Sequence, residues 1–226
     1  MAASTARLDY GAMQATISPG RPNLMMDHLQ LGLRHGPADG QTMHFYLSLY
    51  AISWSRDYGS GHLALLRRPA EHGGSIDLSL TDNPSLGRAY LDVLRSRRYA
   101  RVDIGADPRP ASFSRSPLKD RDHVRYLIGA VGLEVEARWD GLGEALFAYG
   151  PAPGAPEEQD IWSMLFEAED AFAAVDGREV PGETFALENW VPWLGRTLNS
   201  AHVARGEIVV DRPASAEPAP DPTEVS

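Results

Sequence analysis

The chain has 226 residues, a formal net charge of −10 and no cysteine. Disulfides, cysteine-ligated metals and thiol catalysis are therefore excluded, and the acidic balance argues against a nucleic-acid partner, which requires an excess of Lys and Arg to meet phosphates. Of the 21 basic residues only Lys119 is a lysine, and its polar, proline-flanked setting is a poor one for the desolvated amine of a Schiff-base enzyme.

Residues 1–20 are weakly patterned and expected to be partly ordered. They contain no apolar signal region, and no apolar run in the chain reaches the roughly 20 residues of a membrane span. The expectation is a cytoplasmic protein with no membrane partner.

From His28 onward the dominant period is two. Leu29, Leu31 and Leu33 alternate with Gln30, Gly32 and Arg34, and the loop Gly36–Gly40 then turns the chain. The run Met43 to Trp54 follows as a long strand. One of its faces is Met43, Phe45, Leu47, Leu49 and Ala51; the other is His44, Tyr46, Ser48, Tyr50 and Trp54. Two short strands, His62–Arg67 and Ser75–Leu80, flank the turn His72-Gly73-Gly74.

One helix is predicted, over residues 84–98. Asp82 or Asn83 caps it, Pro84 suits its first turn, and Leu86, Ala89, Tyr90, Val93 and Leu94 make its apolar stripe. Gly105 to Pro117 reads as a loop. Between Arg95 and Arg125 basic residues outnumber acidic ones. Compensation of the helix end is the simpler explanation; arginine forks holding a carboxylate or phosphate are the other.

Strands return at Leu133–Arg138, Ala145–Tyr149, Ile161–Phe166, Ala171–Val175 and Val203–Val210, with Asp176-Gly177 as a type I′ hairpin turn. Trp190-Val191-Pro192-Trp193 is too proline-broken for a central strand and reads as a lid or a plug. Residues 212–226, rich in Pro, Ala and acids, are expected to be disordered. Residues 21–211 then form a single β-rich domain, either an antiparallel barrel of lipocalin-like type or a two-layer sandwich, with the one amphipathic helix.

No phosphate-binding loop, HExxH or G-x-S-x-G motif is present. His28, His35 and His44 match no metal-ligand spacing, so neither a metal nor an organic cofactor is expected. Glu167 and Glu169 read as solvated acids. The informative pattern is the polar and aromatic face of Met43–Trp54. Inside a barrel it would line a pocket, with His44 as acid–base group, Tyr46 and Tyr50 as hydrogen-bond donors, and Ser48, Trp54, Trp162 and Trp190 against the substrate.

The expected function is a cofactor-independent isomerase, cyclase or hydratase acting on an apolar small molecule. A non-catalytic carrier of such a ligand, or an interaction module with an exposed aromatic sheet face, are the alternatives. The sequence leaves assembly into homo-oligomers open.

Overall fold

The computed structural model describes residues 21–34, 43–69, 75–96, 107–116, 122–150 and 159–211. The predicted N-terminal segment, C-terminal tail, His35, Lys119, the turns at 36–40 and 72–74 and the last two residues of the predicted helix lie outside that set.

The strands are β1 (Arg21–Arg34), β2 (Met43–Ser55), β3 (Gly61–Pro69), β4 (Ser75–Thr81), β5 (Arg109–Arg115), β6 (His123–Ala130), β7 (Leu133–Leu142), β8 (Leu146–Gly150), β9 (Gln159–Val175), β10 (Arg178–Glu179), β11 (Ala186–Leu187), β12 (Leu198–Asn199) and β13 (Ala201–Asp211). Helix α1 spans Pro84–Ser96. Hydrogen bonding runs β9-β13-β1-β2-β3-β4-β5-β6-β7 and returns from β7 to β9, so the sheet closes into a barrel. Closure depends on the length of β9. Its first half, Gln159–Glu167, pairs with β13, and its second half, Ala168–Val175, pairs with β7.

The barrel expectation is borne out, with two differences from a simple meander. The pairing β4–β5 is parallel, because α1 carries the chain back between them. The Gly105–Pro117 stretch read as a loop contains β5. Its alternation (Ala111, Phe113, Arg115 against Ser112, Ser114) is short and follows a Pro-rich lead-in, which masks it.

Alternation sends Leu29, Leu31, Leu33, Phe45, Leu47, Leu49, Ala64, Leu66, Val135, Ala137 and Trp139 into the lumen, where all are buried. At roughly 2 kcal/mol of transfer free energy for each large aliphatic side chain, this filling is the main favourable term. Trp139 crosses the lumen, and its Nε1 donates to the carbonyl of Gln30 at 2.7 Å. The lumen is a packed core at this level.

A second apolar layer covers the outside of β1, β2, β3, β9 and β13. Leu86, Tyr90, Leu91 and Leu94 of α1 bury against Met26, Tyr50, Ile52, Leu63 and Leu65. Asn83 caps the helix, its Oδ1 accepting from the Leu86 amide at 3.2 Å. Gly87 is required for this packing: a Cβ there would stand 2.6 Å from Thr81 Oγ1. Val93, predicted to be buried, lies at the edge of the stripe and is 36% exposed. A 3-10 turn at Glu188–Trp190 and a helical turn at Val191–Leu194 lay Trp193 and Leu194 on the same layer.

Candidate functional site

The lumen filling changes character at one end of the barrel, where β1 begins and β2 ends. Asp27 continues the inward series of Leu29, Leu31 and Leu33. Arg115 continues Phe113 on β5, and Arg205 continues Val203 on β13. Arg115 Nη1 donates to Asp27 Oδ2 at 2.8 Å, across the barrel mouth. The other Asp27 oxygen accepts from the Gly206 amide at 2.9 Å. Gly206, at φ +60°, belongs to a bulge in β13 that shifts its register against β1 and β9.

Asp27 does not satisfy Arg115. The arginine's Nε and Nη2 are shut off from solvent without a hydrogen-bond partner among the described residues. Its guanidinium also lies 5.7 Å from the ring centroid of Tyr126. Burial raises the Tyr126 phenol above its usual pKa, and Asp27 adds to this against the opposing pull of Arg115, so the phenol stays protonated. Arg205 is pushed the other way, its charged form disfavoured by burial and then by Arg115, with Asp27 and Asp122 partly offsetting. Asp27 thus lies close to two guanidiniums, Arg115 by direct contact and Arg205 through space.

His62 joins the same layer. It pairs with Ala51, which pairs with Asp27. Its ring stacks on Phe113 at 4.7 Å and meets Tyr126 edge-on at 6.1 Å. His62 Nδ1 lies 2.7 Å from Asp82 Oδ2, so Nδ1 carries the proton and Nε2 is the basic nitrogen. The second Asp82 oxygen accepts from the His62 amide at 2.6 Å, which fixes the carboxylate.

Above this layer a cross-strand row runs Trp54–Met25–Ile208–Trp162–Tyr149 over β2, β1, β13, β9 and β8. Trp54 and Met25 are 41% and 39% exposed. The row supplies a half-open apolar rim.

The predicted site residues separate into three places. Trp54 and Trp162 meet in the rim row. Trp54 reaches it because β2 slips by one residue at Ser53, which moves Trp54 to the face opposite Ser48 and Tyr50. Ser48, Tyr50 and Trp190 lie outside the barrel, under the second apolar layer. There His28 stacks on Tyr50 at 4.4 Å, its Nε2 meets Ser48 Oγ at 2.9 Å, and Tyr50 packs edge-on against Tyr90. Tyr46 packs on that layer as well. His44 sits at the opposite end of β2, beside Gly182. The expectation that His44, Tyr46, Ser48 and Tyr50 line the lumen is therefore corrected. Both faces of β2 are covered, and the aliphatic one fills the barrel.

His202 completes the outer cluster. It is fully buried, stands 5.5 Å from Trp190 edge-on, and donates Nδ1–H to the carbonyl of Asn199 at 2.7 Å. Burial depresses its pKa to about 4, against the smaller opposing effect of that hydrogen bond. Glu167, expected to be solvated, accepts from Arg196 and from the Asn199 amide.

Asp27, His62, Tyr126 and Arg205 were missed by the sequence reading. Only Arg115 had a signal, the local basic surplus. The others come from strands distant in sequence and no motif joins them.

No protein-family model matches the chain, and no curated protein matches it in sequence. Among solved structures, one from structural studies of acetoacetate decarboxylase is 10% identical with a TM-score of 0.41, covering 91% of this chain and 96% of its own. The acetoacetate decarboxylase of Legionella pneumophila is 9% identical with a TM-score of 0.35, covering 92% and 96%. At these TM-scores the likeness carries neither residue correspondences nor an activity to this chain.

Proposed function

We propose that the protein binds a small, largely apolar molecule bearing a carboxylate at the barrel mouth and acts on it by acid–base chemistry, as an isomerase, cyclase or hydratase would. The observation that supports this reading most is Arg115. A largely desolvated guanidinium with the donors of both Nε and Nη2 unspent is costly to bury, and a planar carboxylate is the group its fork fits best. Trp54, Met25 and Trp162 offer apolar contact to the rest of the molecule.

In this reading His62 is the base, oriented by Asp82, and removes a proton from a carbon activated by a neighbouring carbonyl. Tyr126, kept protonated by burial, donates to the oxygen on which negative charge develops. The reaction classes are those in which one acid–base group and one oxyanion donor suffice. An ion-pair cluster that only closes the barrel is the competing reading.

Calorimetric titration with 3-phenylpropanoate and its primary amide separates the two. Binding of the acid, none of the amide, and at least about tenfold weaker binding in Arg115→Met are expected, because charge-assisted hydrogen bonds contribute about 1.5–3 kcal/mol. Equal binding of acid and amide, or of wild type and R115M, would refute the proposal.

A further inference from the structure

A second cavity lies on the outside of the barrel, independent of the mouth. It is a narrow, half-open slot of about 90 Å³ between α1 and the ends of β1, β2, β9 and β13. One side of it is apolar, with Leu24 and Val209 from the barrel and Leu86, Ala89, Tyr90 and Val93 from the helix, and the other carries Asn23, Ser55, Arg56, Asp57 and Gln159.

Two acceptors stand on that second side. Gln159 Nε2 donates to Asp211 Oδ1 at 3.0 Å. A carboxylate oxygen can only accept, so this bond fixes which way the amide points. The other end, Oε1, is then turned away from Asp211, and it is buried without a hydrogen-bond partner. At the rim, Asp57 lines the slot and has no ion pair or hydrogen bond among the described residues. Arg56, the nearby cation, is already taken up by Asp211 at 3.1 Å and by the carbonyls of Arg21 and Pro22. The unspent groups lining the slot are therefore an acceptor and a negative charge.

We infer that the slot between α1 and the barrel binds a single-chain alkylamine, with the chain along the helix and the ammonium between Gln159 Oε1 and Asp57. An ammonium offers three donors and a positive charge, which meets both groups at once. An alcohol meets only the first, and a carboxylate is repelled by Asp57 and by Oε1 alike. This selectivity is opposite in sign to that of the barrel mouth, so the two sites are distinguishable in one set of titrations.

The test is calorimetric titration of the full chain with n-octylamine, n-octanol and octanoate at pH 7, with amide chemical shifts of residues 86–93 followed by NMR. Octylamine is expected to bind at least about tenfold more tightly than octanoate to this slot, with shifts confined to α1 and the neighbouring strand ends. Gln159→Leu should weaken octylamine about tenfold, the loss of one charge-assisted hydrogen bond. Ala89→Trp should abolish binding by filling the slot, and Val93→Trp, at its exposed edge, does the same with less risk to the fold. Octanoate binding as tightly as octylamine with the same α1 shifts, no octylamine binding at all, or unchanged binding in a folded V93W protein would each overturn the assignment.

Discussion

Asp27 and Arg115 lie 88 positions apart in sequence, on strands that are not hydrogen-bonded neighbours, and their side chains meet at 2.8 Å across the mouth of the barrel. The pair is about three-quarters buried on both sides, with side-chain exposures of 23% and 24%. It marks the level at which the aliphatic lumen gives way to charge.

Removing one partner leaves the other desolvated and uncompensated. Asp27→Asn and Arg115→Met are each expected to destabilise the fold by about 1–3 kcal/mol, less than a fully buried pair because solvent screens part of the interaction. The double variant should recover part of that loss. A double-mutant cycle in urea unfolding measures the coupling, expected at about 1–2 kcal/mol.

His202 makes stability depend on pH. Its folded pKa of about 4 lies below the usual 6.5 of histidine, so the unfolded chain binds the extra proton first. Its contribution is complete above pH 6.5 and falls as pH drops toward 4, by up to about 3 kcal/mol over the whole window. His202→Asn, which retains a donor to the Asn199 carbonyl, should flatten the profile between pH 6.5 and 4 when urea midpoints are compared.

Trp139 is both filler and cross-brace. Trp139→Phe removes the donor to the Gln30 carbonyl, leaving a buried acceptor and a small void, at a cost of about 2–4 kcal/mol. Thermal unfolding by circular dichroism reads this directly.

The predicted hairpin turn at Asp176-Gly177 has φ of 52° and 72° at its two central residues. Gly177→Ala should cost about 1 kcal/mol, because a Cβ is disfavoured at that backbone conformation. The Asp176 side chain also accepts from the Glu134 amide at 2.8 Å. Asp176→Gly therefore trades turn propensity for a lost cross-strand tie, and denaturant midpoints should show a smaller change than for G177A.

The barrel was legible because its strands alternate. Leu29-Leu31-Leu33 and Phe45-Leu47-Leu49 specify a buried face without reference to anything distant. The helix was legible from Asn83, Pro84 and the Leu86-to-Leu94 stripe. Which side of β2 faced inward was not, since alternation fixes two faces but does not say which one the closing sheet encloses. Bulges at Ser53 and Gly206 add a second obstacle: each moves the downstream side chains to the other face, and neither has a pattern in the sequence. Trp54 therefore left the face it was assigned to. The charged layer was unreadable for a different reason. Asp27, His62, Arg115, Tyr126 and Arg205 sit on β1, β3, β5, β6 and β13, and only barrel closure brings them together.

Anomalous diffraction from crystals soaked in 4-bromobenzoate tests the barrel-mouth proposal most directly. A bromine peak among Trp54, Met25 and Trp162, with the carboxylate on the free Nε and Nη2 of Arg115, is the expected result, and R115M crystals should lose it. Bromine elsewhere, with water alone on Arg115 at saturating ligand, would contradict the assignment of this layer as an anion site.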